Sequence, residues 1–495
     1  MFVPVSRSTL FLLFLAFGVS VLLRAPMLNR PLSGHHEFCT AFSLIILENW
    51  HRDGLLTHSG APPLTSNAPG DRGATWMGAG SALNNGRYYY LSHPPLGLYL
   101  PHLWFRIWNT SPSAWGLQVF GLLLHGLFAL GVMRAMAWFA KGDAPLIAGV
   151  LVLFMPAPLW FLGNVYMSDI MVVVPWVWHV VAAQRLFGDV GNRPRGMVAF
   201  ALGLGIVVYT GWLGILAAVV DLGLTLYRWK RWSGRDRTRV VMGIALAVFI
   251  PMVLTAWAYS DAVGQAGLVD YLQGRFRQRS TALGVGEEGA LYHLGHLLMN
   301  YRTGFLPVLL VLIAAVPFAL RALRSGTPRI PPGAMLFTVL TAGPVVLEHA
   351  LLLEYADHDF VALKGAPFLC GTAALVLAAV GKQPWARWFP VSGLLLISAL
   401  GAGYFWHLNA DAGTSVHKDR GLIITRQILP EQVLFWTGPP AEPQMVWYAK
   451  RTPWSVSSVD EARAILVRTG QAQGVLFSPD PGGHGLQWTV VDALP

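Results

Sequence analysis

Apolar runs long enough to cross a bilayer recur along most of this chain, and they leave few folds open. A membrane helix needs about 20 consecutive apolar residues, because the bilayer core holds no water to satisfy stray backbone groups. Such runs fall near 8–28, 114–138, 143–162, 166–186, 196–211, 212–228, 239–259, 303–323, 333–353, 361–380 and 389–407, about eleven in all. Only the soft break Tyr209-Thr210-Gly211-Trp212 separates the fifth from the sixth. Charged residues make up 12% of the 495 positions, against about 25% in an ordinary soluble protein. The expected class is therefore an all-α polytopic membrane protein. The net charge of +10 reports topology before partners, and its division among separate short loops argues against a nucleic-acid surface.

Cytoplasmic loops collect Lys and Arg. The stretch Arg228–Arg239 holds Arg228, Lys230, Arg231, Arg235, Arg237 and Arg239 against the single acid Asp236. Arg185–Arg195, Arg321–Arg329 and Lys382–Arg387 are also basic. Counting spans from any of these loops places the N-terminus in the cytoplasm and the C-terminus outside, in a cell membrane expected to be a bacterial inner membrane. The first run is long for a signal-peptide core and lacks a small-x-small cleavage pattern, so it reads as a retained helix.

Two long loops, 29–112 and 260–302, then lie on the outer face. Apolar spacing over Phe38–Trp50 predicts a helix lying on the membrane surface, and the short aromatic stretch after Pro95 predicts another. Residues 1–407 form the membrane domain. From 408 to 495 the runs are short and strand-like, at Val433–Trp436, Met445–Tyr448, Gly474–Phe477 and Gln487–Val491. Ser458-Val459-Asp460-Glu461 is a capping box opening a helix that should stop near Gly470. The expectation is a small α/β domain outside the membrane. Cys39 and Cys370 should lie at different depths without a disulfide.

Ionisable groups in or beside membrane spans are costly, so each needs an account. Gly34-His35-His36-Glu37-Phe38 places a carboxylate among imidazoles where the first span ends, a setting for general acid/base work or for a helix start with its Glu on the macrodipole. Ser168-Asp169 opens a later span at the same expected depth, either as a helix cap or as a second functional carboxylate. Glu348-His349 and Glu354-Tyr355-Ala356-Asp357-His358-Asp359-Phe360 end another span, and Lys364 follows one turn into the next. Arg275-Phe276-Arg277-Gln278-Arg279, with His293, His296 and Arg302, places arginines on the outer side, where a planar fork suits a phosphate or an anionic headgroup. His93 precedes Pro94-Pro95. The chain has no P-loop, GxSxG, HExxH or CxxC motif, and Gly78-Ala79-Gly80 lacks a nucleotide-binding context.

The order and sidedness of His36-Glu37, His93-Pro94-Pro95-Leu96, Ser168-Asp169 and His358-Asp359-Phe360 resemble the GT-C glycosyltransferases, over about residues 8–410. The nearest branch is that of the protein O-mannosyltransferases and the aminoarabinose transferases of lipid A. The resemblance implies a sugar carried on a polyprenyl phosphate and transferred outside the cytoplasm to a lipid, glycan or protein. It places Glu37 in the first acidic pair, Asp169 at the second acidic position, His93 near the lipid phosphate and His358 at the donor site.

The family's first pair is commonly Asp-Glu, and here the Asp position reads His36, so Glu37 or His36 would take over a base role. The catalytic set is thus Glu37, Asp169 and His36. Donor phosphate and sugar fall to His93, Arg275, Arg277, Arg302, His358 and Lys364. A divalent cation, if used, would be held by His36, Glu37 and Asp169, and mixed His/carboxylate ligation suits Mn²⁺ or Zn²⁺ more than Mg²⁺. The rival expectation is a transporter or lipid flippase. Transporters tend to bind at the midplane between two related halves, and no such halves are visible in the sequence.

Overall fold

The computed structural model describes residues 5–66, 68–74, 82–84, 86–188, 193–280, 289–324, 332–381, 388–409, 413–480 and 485–493. Lys382–Arg387 and Gly78-Ala79-Gly80 lie outside the described residues. Among the described residues, eight helices are long and apolar enough to cross a membrane: Arg7–Met27, Ala114–Met136, Ile170–Phe187, Gly234–Val263, Ala290–Arg321, Gly333–Leu351, Asp359–Val380 and Phe389–Asn409. The chain is an integral membrane protein of predominantly helical class.

The structure departs from the eleven expected spans at three places. The run 143–162 is a pair of helices, Ala144–Phe154 and Pro156–Asn164, bent by 60° where Pro156 removes a backbone donor and Met155 turns extended. Gly196–Thr210 and Leu213–Tyr227, on either side of the soft break, are each shorter than a full span. The bend has its own support. Arg24, fully buried at the end of the first helix, donates through Nη1 to the carbonyls of Leu159 and Leu162 in the irregular turn, each at 3.4 Å.

The spans also sort the polar residues by end. Ile170–Phe187 starts beside Asp169 and carries Arg185 in its last turn, about 24 Å away at 1.5 Å per residue. Gly333–Leu351 ends at Glu348 and His349, whereas the basic stretch 321–329 lies before it. Asp169 therefore lies at the end of its span away from Arg185, and Glu348 and His349 lie at the end of theirs away from Arg321.

The Glu37–Asp53 helix differs from the expectation of a helix resting on the membrane. Leu44, Ile46, Leu47 and Trp50 are buried in protein, between Leu96–Ile107 and Ala114–Met136 on one side and the C-terminal unit on the other. Its apolar positions have a protein partner instead of lipid. Leu96–Ile107, by contrast, leaves Leu100, Leu103 and Ile107 exposed, as an interfacial helix would.

The C-terminal unit is a four-stranded sheet in the order Trp454–Ser455, Val433–Trp436, Gln473–Pro479, Leu486–Asp492. The first three strands run parallel and the last antiparallel. Every residue of the central strand Val433–Trp436 is buried. The helix Val459–Thr469 begins where Ser458 accepts from Glu461 N at 3.2 Å and ends at left-handed Gly470. Met445–Tyr448, expected as a strand, lies in the helix Pro443–Ala449: Pro443 suits a first turn, and four apolar residues carry too little periodicity to separate strand from helix. That helix packs on Glu37–Asp53. Cys39 and Cys370 are both free and buried.

Buried charge ties this unit to the first long loop. Asp71 accepts from Arg451 Nε at 2.9 Å and from Thr452 N at 2.6 Å, and Trp454 Nε1 donates to Gly70 O at 2.8 Å. Arg451→Met should cost about 3–5 kcal/mol by leaving Asp71 buried without its cation. The double variant with Asp71→Ala should be less destabilised than Arg451→Met alone, and a thermal double-mutant cycle in detergent checks the sign.

Candidate active site

The polar end of the bundle is built where four chain breaks meet. The chain runs extended at Val165 and turns at Ser168-Asp169, and that turn presents Asp169 just before Ile170 opens a helix. Gly333–Leu351 ends with Glu348 facing inward. The turn Leu353–Asp357 brings in Tyr355, and Asp359–Gly365 brings in Lys364. Lys364 Nζ lies 2.6 Å from Glu348 Oε1 and 3.6 Å from Asp169 Oδ2, and Tyr355 donates its hydroxyl to Asp169 Oδ2. All four side chains are buried. Buried charges of this kind persist when each has a partner close by.

His93 closes the group, with Nδ1 3.2 Å from Asp169 Oδ1. The angle does not make a hydrogen bond, and among the described residues that nitrogen has no other partner. Burial pulls the imidazole down to about 4, helped by Lys364, Arg275 and Arg279 and opposed by Asp169. At neutral pH His93 is therefore uncharged, and Asp169 Oδ1 carries no strong donor.

Two cavities open on either side of these residues. The larger, about 390 Å³, runs between Trp212, Ile215, Leu216, Met252, Leu351 and Leu352, and Asp169 and Glu348 lie at its polar end. The smaller, about 160 Å³, is lined by Phe38, Phe42, Tyr90, Met167, His358 and Phe360. His93, Tyr355, Arg275 and Arg279 belong to both and form the wall between them. Both arginines come from the helix Gln265–Ser280, where a spacing of four residues puts them on one face. Arg279 lies over the Tyr355 ring at 5.0 Å and donates through Nη1 to His358 Nε2 at 3.0 Å. Burial, then the Arg279 charge, then that of His36, hold His358 down to about 4, in keeping with an accepting, neutral ring.

The structure thus brings together Asp169, His93, Arg275, His358 and Lys364 from the expected set. It does not bring Arg277 or Arg302 to the cavities. Arg277 is two residues, about 200° of helix turn, from Arg275, and both Arg277 and Arg302 are exposed. Glu37 is fully buried but faces away from both cavities, because the helix it opens follows a tight loop whose donors it satisfies. Its Oε2 accepts from Ser33 N at 2.6 Å and Gly34 N at 2.5 Å, and Oε1 faces Arg30 at 3.4 Å.

His36 turns to Asp359, with Nε2 2.8 Å from Oδ1. The expected cation set of His36, Glu37 and Asp169 therefore does not converge, since each of the three is committed to different neighbours. The sequence reading passed over Arg279, Tyr355, Glu348 and Asp359 as individual site residues. Glu348 and Asp359 stood out only as ionisable groups at a span end, and Arg279 by its spacing of four from Arg275.

No family model matches the chain, and no curated protein matches it in sequence. Among solved structures, ArnT from Cupriavidus metallidurans bound to undecaprenyl phosphate superposes with a TM-score of 0.63 at 15% identity, covering 95% of this chain and 93% of that one. Its apo state gives 0.60 at 14% identity, over 96% and 94%. The archaeal oligosaccharyltransferase AglB from Archaeoglobus fulgidus, in complex with an inhibitory peptide and a dolichol-phosphate, gives 0.57 at 13% identity, over 95% of this chain and 69% of that one. The fold is that of the GT-C glycosyltransferases. Within the GT-C architecture the C-terminal unit is included in the match to ArnT, because the shared region extends over nearly all of both chains.

Two outcomes follow from the geometry. Glu37→Gln should lower the melting temperature, since hydrogen bonds to a charged group are worth about 1.5–3 kcal/mol each, and its effect on ligand affinity should be small by comparison. Acid should destabilise the fold through His93. Its folded value lies below the unfolded one, so its contribution is present above pH 6.5 and is lost as the pH falls toward about 4. A melting series over that window should be flatter in His93→Asn.

Proposed function

We propose that this chain is a membrane glycosyltransferase that moves a sugar from a polyprenyl-phosphate donor to a lipid, glycan or protein, with inversion, on the face of the membrane away from the cytoplasm. The observation that carries the reading is the pair Arg275 and Arg279 on the wall between an apolar chamber and an aromatic one, with the buried carboxylate of Asp169 beside them. A polyprenyl phosphate needs a long apolar channel ending in paired cations, and an acceptor needs a base at the same point. The polyprenyl phosphates held by the two GT-C neighbours are of this ligand class. Arg185 and Arg321, at span ends away from Asp169 and Glu348, support a cytoplasmic N-terminus and an outward-facing site.

In this mechanism the lipid tail lies along Trp212, Ile215, Met252 and Leu352, and the phosphate sits against Arg275 and Arg279. Asp169 Oδ1, held in place by Lys364 and Tyr355 on its other oxygen, takes the proton of the acceptor hydroxyl or amine. The freed oxygen or nitrogen attacks the anomeric carbon, the bond from that carbon to the phosphate oxygen breaks, and the polyprenyl phosphate leaves with the electron pair. The arginines, and His93 as a neutral donor, meet the charge that grows on the leaving phosphate. Glu37 takes no part in the proton transfer. No step is assigned to a metal ion, because His36, Glu37 and Asp169 do not form a joint ligand set.

The test is sugar transfer from a panel of polyprenyl-phosphate-linked sugars by the full chain in lipid nanodiscs. Asp169→Asn should lower kcat by about 10²–10⁴-fold. Arg275→Ala and Arg279→Ala should each lose about 10–100-fold in kcat/KM, the equivalent of one charge-assisted contact, while Arg277→Ala and Arg302→Ala change little. Full turnover by folded Asp169→Asn would remove the base assignment. Movement of intact lipid-linked sugar across the bilayer without transfer would put a transporter in place of the enzyme.

A further inference from the structure

We propose that His35, His36 and Asp359 form a divalent-cation site of the borderline type that takes Zn²⁺ or Mn²⁺, separate from the two cavities. The three ligand atoms lie within 4.8 Å of one another. His35 Nε2 is 2.7 Å from Asp359 Oδ2, and His36 Nε2 is 2.8 Å from Oδ1. Successive side chains in a helix or strand point in different directions, so two neighbouring rings on one carboxylate need an unusual backbone. His36 supplies it, as a non-glycine residue in the left-handed region at φ 58°. The loop is held in that shape from both sides: Trp160 Nε1 donates to His35 O at 3.0 Å, and Glu37 accepts from Gly34 N.

The donor chemistry fits as well as the geometry. Asp359 Oδ1 is buried and faces only His36 Nε2 among the described residues, at an angle that makes a poor hydrogen bond, so a shared cation could take that lone pair. Two imidazole nitrogens and one carboxylate oxygen make a three-ligand set for a borderline metal, and the exposed His35 leaves the fourth position to water. An ion here would clamp the first loop to the turn that bears His358, whose ring centroid is 6.5 Å from that of His36. It would act as a positioning device for His358 and Arg279 at the edge of the smaller cavity. The site stands or falls independently of the transferase reading, because its test is metal binding.

The tag-free full chain, stripped with chelator and dialysed, is titrated with ZnCl₂ and separately with MnCl₂. The expected result is one equivalent of one of these ions by elemental analysis, with a higher melting temperature in its presence. His35→Ala and Asp359→Asn should each bind at least about tenfold more weakly, since even outer-shell partners of a metal are worth about 10–100-fold. His35→Ala removes an exposed ring, so it remains informative if Asp359→Asn does not fold. A wild-type chain that retains neither ion, leaving a plain imidazole–carboxylate cluster, overturns the proposal. So does equal affinity in wild type and His35→Ala.

Discussion

The contact on which the rest depends is Lys364 between two carboxylates. An ammonium 2.6 Å from Glu348 and 3.6 Å from Asp169, with all three side chains buried, is tolerated only because each charge has an opposite one in reach. Removing the cation would leave two anions facing each other in a poorly solvated place. The triad also dictates topology. Its members come from the end of one span, the start of another and the first turns of a third, so those ends must assemble at one level. Tyr355 and the turn that carries it are held to the same level from outside: His293 Nδ1 meets Asp357 Oδ1 at 2.8 Å, and Asn300 donates to Ala356 O at 2.6 Å.

From that anchor the division into two chambers follows. The triad and His93 supply a polar partition, and the helix Gln265–Ser280 lays two guanidinium groups across it. On one side the walls are aliphatic and continue between the spans; on the other they are aromatic and histidine-bearing. A lipid phosphate and its sugar differ in polarity in the same sense. The partition also gives the two oxygens of Asp169 different jobs. One is saturated by Tyr355 and Lys364, which fixes the carboxylate, and the other faces a neutral imidazole and the cavity.

Much of this could be read from the residues alone. Hydropathy located the membrane runs, and the positions of Asp169, His93 and Lys364 relative to those runs already placed them together at one end. The capping box at Ser458 and the glycine at 470 marked a helix whose ends the structure shares. Other features depend on tertiary information. Which arginines face inward is a matter of helix phase: the run 275–279 offers three, and only the pair four residues apart can share a face. Glu37 looked like an acid at a cavity mouth, yet a helix-opening carboxylate with free amides three and four residues before it turns back to bind them. The apolar stripe of Glu37–Asp53 matches a lipid surface as well as a protein one, and only the docking of Pro443–Ala449 decides between them. The kink at Pro156 carries its own signal, but its repair by Arg24 spans more than a hundred residues of sequence.

The most direct measurement is a structure of the full chain with a polyprenyl phosphate bound. The account predicts the phosphate between Arg275 and Arg279, within reach of His93, with the tail in the chamber lined by Trp212, Met252 and Leu352. A phosphate bound instead against Arg277 or Arg302, or a tail lying outside that chamber, would contradict it.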